Sequence, residues 1–217
     1  MTLSKALPWL VAPLVPLVIV LGVVRLLLTP LFIQIEYRLP GFPPDAYGFT
    51  TEDRLFWADL SRQYLLNDAD IHFLADRRLP DGQPLYNARE LRHMADVKRV
   101  VQGALWVWKI ALLALLLLGG LAYRQGAWEA FRQGLAWGGW LTVGLMLAIV
   151  ALTIVAFQTL FVDFHKVFFE GDTWLFVYTD TLIRLFPERF WRDAFMLVGG
   201  LSLLLGRAVA LLGRSTK

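Results

Sequence analysis

The chain has 217 residues, of which 57% are hydrophobic and 18% charged. A soluble domain is roughly 45–50% apolar and about 25% charged, so this composition excludes a disordered chain and most soluble enzymes and points to lipid as the solvent. The absence of cysteine excludes disulfides, thiolate metal sites and cysteine nucleophiles. A net charge of +3, spread without a dense basic run, leaves no footprint for nucleic acid.

A helix needs about 20 apolar residues to cross a hydrocarbon core of roughly 30 Å. Four segments meet that length, and they predict spans over residues 6–33, 98–123, 135–161 and 194–213. The first is too long for the apolar region of a signal peptide and has no small-residue cleavage site before Gln34, so it reads as a retained helix. Pro8, Pro13 and Pro16 sit in its first half, where they kink it or delay its start. Arg25 and Lys109 lie inside the first and second spans, and charges at that depth are functional candidates. Arg207, nearer the end of the fourth, reads as a snorkelling side chain.

Lys5, the loop 124–134 with Arg124 and Arg132, and the tail with Arg214 and Lys217 carry basic charge, so these regions are expected to be cytoplasmic. All of the 18 acidic residues except Glu129 fall in segments 34–99 and 162–193. Those segments are expected to face the outside together.

The insert 34–97 is long enough to form a cap. Ile33, Ile35, Tyr37 and Leu39 alternate with polar residues and predict a short strand. Pro40-Gly41-Phe42-Pro43-Pro44-Asp45 is turn-rich, and Thr50-Thr51-Glu52-Asp53 opens a helix to about Leu66. Leu79-Pro80-Asp81-Gly82 is a turn able to close a small hairpin. Asn87 followed by Glu90 resembles a capping box and starts a helix that runs into the second span. The expected fold class is an α-helical polytopic membrane protein with four transmembrane helices and a small extracytoplasmic α+β cap. Segment 162–193 follows the third span as an aromatic-rich outer stretch.

The histidines are His72, His93 and His165. His93 falls on the outer extension of the second span and His165 just beyond the third, so the topology brings both to one membrane face. Imidazole titrates near pH 6.5 and serves as acid or base at neutral pH; an ordinary interfacial pair of histidines would look the same. His72, between Ile71 and Phe73 in a strand or turn, reads as structural. Asp96 shares a helical face with His93, where it could orient the ring or form a plain surface pair. Asp163 would face His165 only in extended structure.

The serines are Ser4, Ser61, Ser202 and Ser215, none in a nucleophile-elbow context. No histidine pair has close metal-ligand spacing, so neither a metal nor another cofactor is expected. Phe161, Phe164, Phe168, Phe169, Trp174, Phe176 and Tyr178 crowd around His165, followed by Phe186, Phe190 and Trp191. An aromatic belt accounts for some of these, and a lipid-lined pocket accounts for their density.

At these residues the chain resembles a known family. Asn87-Ala88-Arg89-Glu90-Leu91-Arg92-His93-Met94-Ala95-Asp96-Val97-Lys98 is similar to one hallmark of the lipoprotein intramolecular transacylases. The run from Phe164-His165-Lys166 through Glu170-Gly171-Asp172-Thr173-Trp174 to Phe176 is similar to a second, continued by Asp180-Thr181-Leu182-Ile183-Arg184-Leu185-Phe186-Pro187. Pro44-Asp45 and Gly48-Phe49-Thr50 fit the family's cap. The resemblance implies a four-helix protein of the cell membrane, with cytoplasmic ends and an extracytoplasmic cap. It implies transfer of the sn-2 acyl chain of a diacylglyceryl-modified lipoprotein to the α-amine of its N-terminal cysteine, giving a lyso-form lipoprotein. It makes His93 and His165 catalytic; beside them, Asp96 and Asp163 are the candidate supporting residues, and Phe164, Phe168, Phe169, Trp174, Tyr178 and Arg184 the candidate substrate pocket. The expected partners are that lipoprotein and membrane lipids, and the expected state is a monomer. The competing readings are a non-enzymatic membrane protein (an assembly factor, a sensor or a transporter subunit), which Arg25 and Lys109 would favour, and a lipid hydrolase using the histidine pair on water.

Overall fold

The computed structural model describes residues 3–214; Ser215 and Lys217 lie outside them. The chain folds as two compact units, one running through Leu26, Ala104–Val155 and from Phe195 on, the other comprising Leu27–Gly103 and Ala156–Ala194. Each is described by itself.

The first unit is built from apolar helices. α1 (Leu3–Val11) and α2 (Leu14–Leu27) are separated at Ala12-Pro13, because Pro13 has no N–H to continue the ladder. α6 (Ala88–Arg124) and α10 (Glu188–Leu212) contribute their C-terminal parts, and α7 (Trp128–Val155) lies wholly within it. The stretches Ser4–Leu27, Ala88–Arg124, Trp128–Val155 and Glu188–Leu212 are long and apolar enough to cross a membrane. At about 1.5 Å per residue, α6 is far longer than a hydrocarbon core. Its first three turns accordingly carry Arg89, Glu90, Arg92, Asp96 and Lys98.

Along α6, Trp106, Ile110, Leu113 and Leu117 recur at helical spacing and are each more than half exposed. In water that stripe would be an aggregation surface, whereas in lipid it needs no cover. Glycines let the helices of this unit approach closely. A Cβ on Gly138 would stand 2.5 Å from Val15 Cβ, and one on Gly139 2.5 Å from the Ala210 nitrogen. Such contacts replace the hydrophobic drive that lipid removes. Trp108 adds an indole N–H donated to the Val18 carbonyl at 3.2 Å.

The second unit contains α3 (Pro30–Glu36), α4 (Thr51–Leu66), α5 (His72–Ala75), the start of α6, α8 (Phe157–Phe168), α9 (Thr181–Leu185) and the first turns of α10. Among the described residues there is no strand, so the expected α+β character is corrected to all-helical. The Ile33–Leu39 alternation falls on the helix that starts at Pro30 behind the N-cap position Thr29 and ends at Glu36, with Tyr37 as its C-cap and Leu39 in the turn that follows. Ile33 and Tyr37 are buried while Ile35 and Leu39 are exposed at 52% and 38%. Residues 33 and 37 are one helical turn apart, and that buried pair mimics half of a strand pattern. The Leu79–Gly82 turn forms with Gly82 at φ 86°, but pairs through the single bridge Arg78–Pro84. His72 opens the four-residue helix α5 rather than a strand.

α4 begins with the Thr50–Asp53 capping box. The third apolar run is divided, since α7 ends at Val155 and α8 begins at Phe157 after Ala156 (φ −149°, ψ 41°). Tyr64, Leu74, Leu85, Tyr86, Met94, Leu182 and Leu185 form the main core of this unit. Ser61 serves that core, its hydroxyl 2.6 Å from Tyr86 Oη and 2.8 Å from the Trp57 carbonyl it donates to.

Candidate functional site

Both site histidines lie in the second unit. His93 stands one turn into α6, and the start of that helix is held from two directions. The Asn87 carboxamide oxygen accepts from the Arg89 and Glu90 nitrogens at 2.9 and 3.0 Å, and Glu90 Oε2 accepts from the Asn87 nitrogen at 2.8 Å. This is the predicted capping box. The second oxygen of Glu90 accepts from the Leu182 nitrogen at 2.7 Å, tying α6 to α9.

Asp180 makes a parallel tie, accepting from Asn87 Nδ2 at 2.8 Å, from Arg89 Nη2 at 2.7 Å and from the Val177 nitrogen at 2.9 Å. Segment 169–180 is thereby anchored beside His93. It delivers Phe169 and Phe176, whose rings are centred 4.9 and 5.3 Å from the His93 ring.

His165 occupies the last turn of α8. Its Nδ1 lies 2.7 Å from the Phe161 carbonyl oxygen. A carbonyl only accepts, so Nδ1 carries the proton and the neutral ring presents its lone pair on Nε2. The two imidazoles lie nearly parallel, with centroids 6.1 Å apart at 21°. Around His165 stand Phe161 at 4.2 Å, Trp174 at 5.0 Å, Phe169 at 5.5 Å and Phe164 at 5.7 Å.

Both histidines are buried, at 7% and 8% exposure. Burial pushes the His165 pKa below 6.5, and the bond to Phe161 opposes that shift only in part. His165 is therefore a neutral imidazole near neutral pH. The site combines two proton-transfer groups with aromatic walls. The buried Ser61 hydroxyl is engaged in the core, on the Trp57 carbonyl and Tyr86 Oη. Among the described residues no group of three or more His, Asp or Glu side chains gathers that could hold a metal ion.

The other predicted residues fall into distinct places. Phe164, Phe169 and Trp174 touch the histidine pair, and Phe168 packs on Phe164 at 4.8 Å. Tyr178 is 78% exposed. Arg184 is a structural clamp: its guanidinium grips Asp45 in two hydrogen bonds of 3.0 and 2.9 Å while stacking 3.8 Å over the Phe49 ring. Asp96 pairs with Arg99, and Asp163 with Lys166 at 4.0 Å; among the described residues no carboxylate is hydrogen-bonded to either site imidazole. Lys109 is exposed beside the Trp106 ring, and Arg25 is half-buried. Neither pairs with a carboxylate among the described residues.

Phe161 and Phe176 are direct neighbours that the aromatic cluster contained without distinguishing them. Asp180 directly precedes Thr181, the first residue of α9. An aspartate there reads locally as a helix cap, which hides its distant role.

The family model for "Lipoprotein intramolecular transacylase Lit" matches residues 9–191. An uncharacterized protein of Aquifex aeolicus (strain VF5) is 31% identical over 189 residues, covering 87% of this chain and 84% of that one. The in meso structure of the membrane-integral lipoprotein intramolecular transacylase from Bacillus cereus superposes with a TM-score of 0.81 at 19% identity, covering 97% of this chain and 94% of that one. A histidine-to-arginine variant of that Bacillus cereus protein superposes with a TM-score of 0.64 at 18% identity, covering 98% and 91%.

Proposed function

The chain belongs to the lipoprotein intramolecular transacylase family, and from that membership we propose that it moves the sn-2 acyl chain of a diacylglyceryl lipoprotein to the α-amine of its N-terminal cysteine. The product is a lyso-form lipoprotein. One observation carries the reading: two buried imidazoles face each other at 6.1 Å inside aromatic walls, and His165 offers a free Nε2.

An α-amine has a pKa of about 7.7–8.0, so a useful fraction is neutral near pH 7. The neutral nitrogen attacks the ester carbonyl carbon. His165 Nε2 accepts the proton that the amine loses, and that proton, relayed through His93, passes to the glyceryl oxygen as the C–O bond breaks. An amide and a free hydroxyl result, no water is consumed, and both imidazoles end neutral. Acid–base help of this kind contributes about 10²–10⁴-fold. Holding two ends of one flexible lipid in reacting geometry contributes as much as about 7–11 kcal/mol. Positioning by Phe161, Phe164, Phe169, Trp174 and Phe176 is then the larger effect. The protein acts as a monomer in the cell membrane, with its ends cytoplasmic and residues 34–97 and 162–193 outside.

The test is mass spectrometry of a reporter lipoprotein incubated with purified protein. An unchanged mass, with one acyl chain relocated to the N-terminal cysteine, is the expected result. Loss of an acyl chain would make the protein a hydrolase, and an unaltered reporter would refute both. His93→Ala and His165→Ala should each abolish the transfer.

A further inference from the structure

Seven buried side-chain nitrogen or oxygen atoms lack a hydrogen-bond partner among the described residues, and two of them, His93 Nδ1 and Trp174 Nε1, belong to the histidine pair and to a ring packed against it. The indole is the informative one. Its N–H can donate and can never accept, so the only ligand atom that satisfies it is an acceptor. A buried donor left unmatched is destabilising, and a buried tryptophan nitrogen normally finds a partner. Trp108 does so, by donating to the Val18 carbonyl at 3.2 Å. Trp174 does not, although its ring is centred 5.0 Å from the His165 ring and inclined to it by 34°.

We infer that the Trp174 indole N–H is the hydrogen-bond donor for the carbonyl oxygen of the migrating acyl group. The inference rests on the transacylase reading. When the amine nitrogen bonds to the carbonyl carbon, the C=O π pair moves onto oxygen, and that oxygen becomes an anion among aromatic rings. The indole keeps its proton and donates a hydrogen bond that strengthens as the charge develops. Collapse restores C=O and breaks the C–O bond to the glyceryl oxygen, which takes the proton originally lost by the amine. Neither a second substrate nor an oxidant enters the balance. A donor that gains strength only in the transition state raises kcat and leaves KM nearly untouched.

The experiment compares wild type, Trp174→Phe, Trp174→His and His165→Ala in lipid–detergent micelles with a diacylglyceryl reporter lipopeptide. Phenylalanine keeps an aromatic wall and removes the donor. Histidine keeps an N–H with a smaller ring. The expected result is a kcat about 10²-fold lower for Trp174→Phe with KM changed less than about threefold, and at least about tenfold recovery in Trp174→His. A packing role would reverse that order, so Trp174→Phe equal to or faster than Trp174→His overturns the inference. Full wild-type transfer abolished by His165→Ala but unaffected by Trp174→Phe removes the inference alone, whereas a wild type that moves no acyl chain removes the transacylase reading and the inference with it. Should the substituted proteins fail to fold, the wild type supplies the answer. An unreactive sn-2 amide analogue of the lipopeptide should shift one of the nine indole N–H resonances downfield, and an unmoved indole spectrum overturns the inference.

Discussion

Glu90 is the side chain whose loss should be felt furthest. It is 1% exposed, and its two oxygens accept from backbone nitrogens belonging to segments far apart in sequence. Glu90→Ala removes both acceptors at once. The Leu182 N–H is buried, and leaving it unmatched costs about 1–3 kcal/mol. The Asn87 N–H is half-exposed and water can replace its partner, so losing that half of the capping box costs about 1 kcal/mol. The sum is about 2–4 kcal/mol, equivalent to about 5–15 °C in melting temperature for a chain of this size. Glu90→Gln keeps one carbonyl oxygen but turns an NH₂ toward the other N–H, and should lose about half as much. His93 lies one turn along the same helix, so activity should fall as well, by about 10²-fold for a displacement near 1 Å. The assays are thermal unfolding of the purified protein in detergent and reporter acyl transfer. A melting point within about 2 °C of wild type in Glu90→Ala would refute the reasoning, because it would mean that the buried Leu182 N–H needs no acceptor.

Three further outcomes are expected. Since burial holds the His165 pKa below 6.5, kcat/KM should rise tenfold per pH unit up to about pH 7.7–8.0 as the substrate amine loses its proton, and a two-proton slope should appear only below 6.5; a second inflection at or above 6.5 in the pH–rate profile would contradict it. Asp45 is buried, which works to raise its pKa, but the Arg184 guanidinium and the Phe49 and Tyr47 nitrogens outweigh burial and hold it below 3.8. Its stabilisation is present above about pH 3.9 and fades as pH falls through the lower folded value, and Asp45→Asn should cost about 3 kcal/mol at neutral pH by leaving Arg184 unpaired, measurable by denaturation at both pH values. Gly139→Val should prevent folding in detergent or sharply lower the melting point, since even a Cβ there would stand 2.6 Å from the Gly206 carbonyl oxygen; a monodisperse protein melting like wild type would contradict the close packing.

Short-range chemistry was largely readable from the chain. The Thr50–Asp53 and Asn87–Glu90 capping boxes pair residues three apart, and both form. The helical spans follow from apolar runs that no soluble protein of this length could cover. The convergence of His93 and His165 follows from counting spans, because two crossings return the chain to the side it left. What failed was periodicity over short stretches. Ile33 and Tyr37 satisfy both a strand and a helix, and only Pro30 at the first helical position decides between them.

Neighbour identity was less readable still. Phe176 and Tyr178 are two residues apart in the same irregular segment, yet one faces His93 and the other is exposed. No helical or strand rule assigns a side to residues there. Arg184 sits in a conspicuous motif that gives no sign of its partner, the two oxygens of Asp45, 139 residues away, which match its planar fork. The same holds for Glu90, whose near oxygen serves the local cap and whose far oxygen serves Leu182. A polar side chain with more hydrogen-bonding capacity than its local motif uses must satisfy the remainder at long range once it is buried. Surplus capacity beside a candidate catalytic residue is therefore the sequence signal that a distant segment docks there, and Asp180, reaching Asn87, Arg89 and the Val177 nitrogen together, is the strongest case.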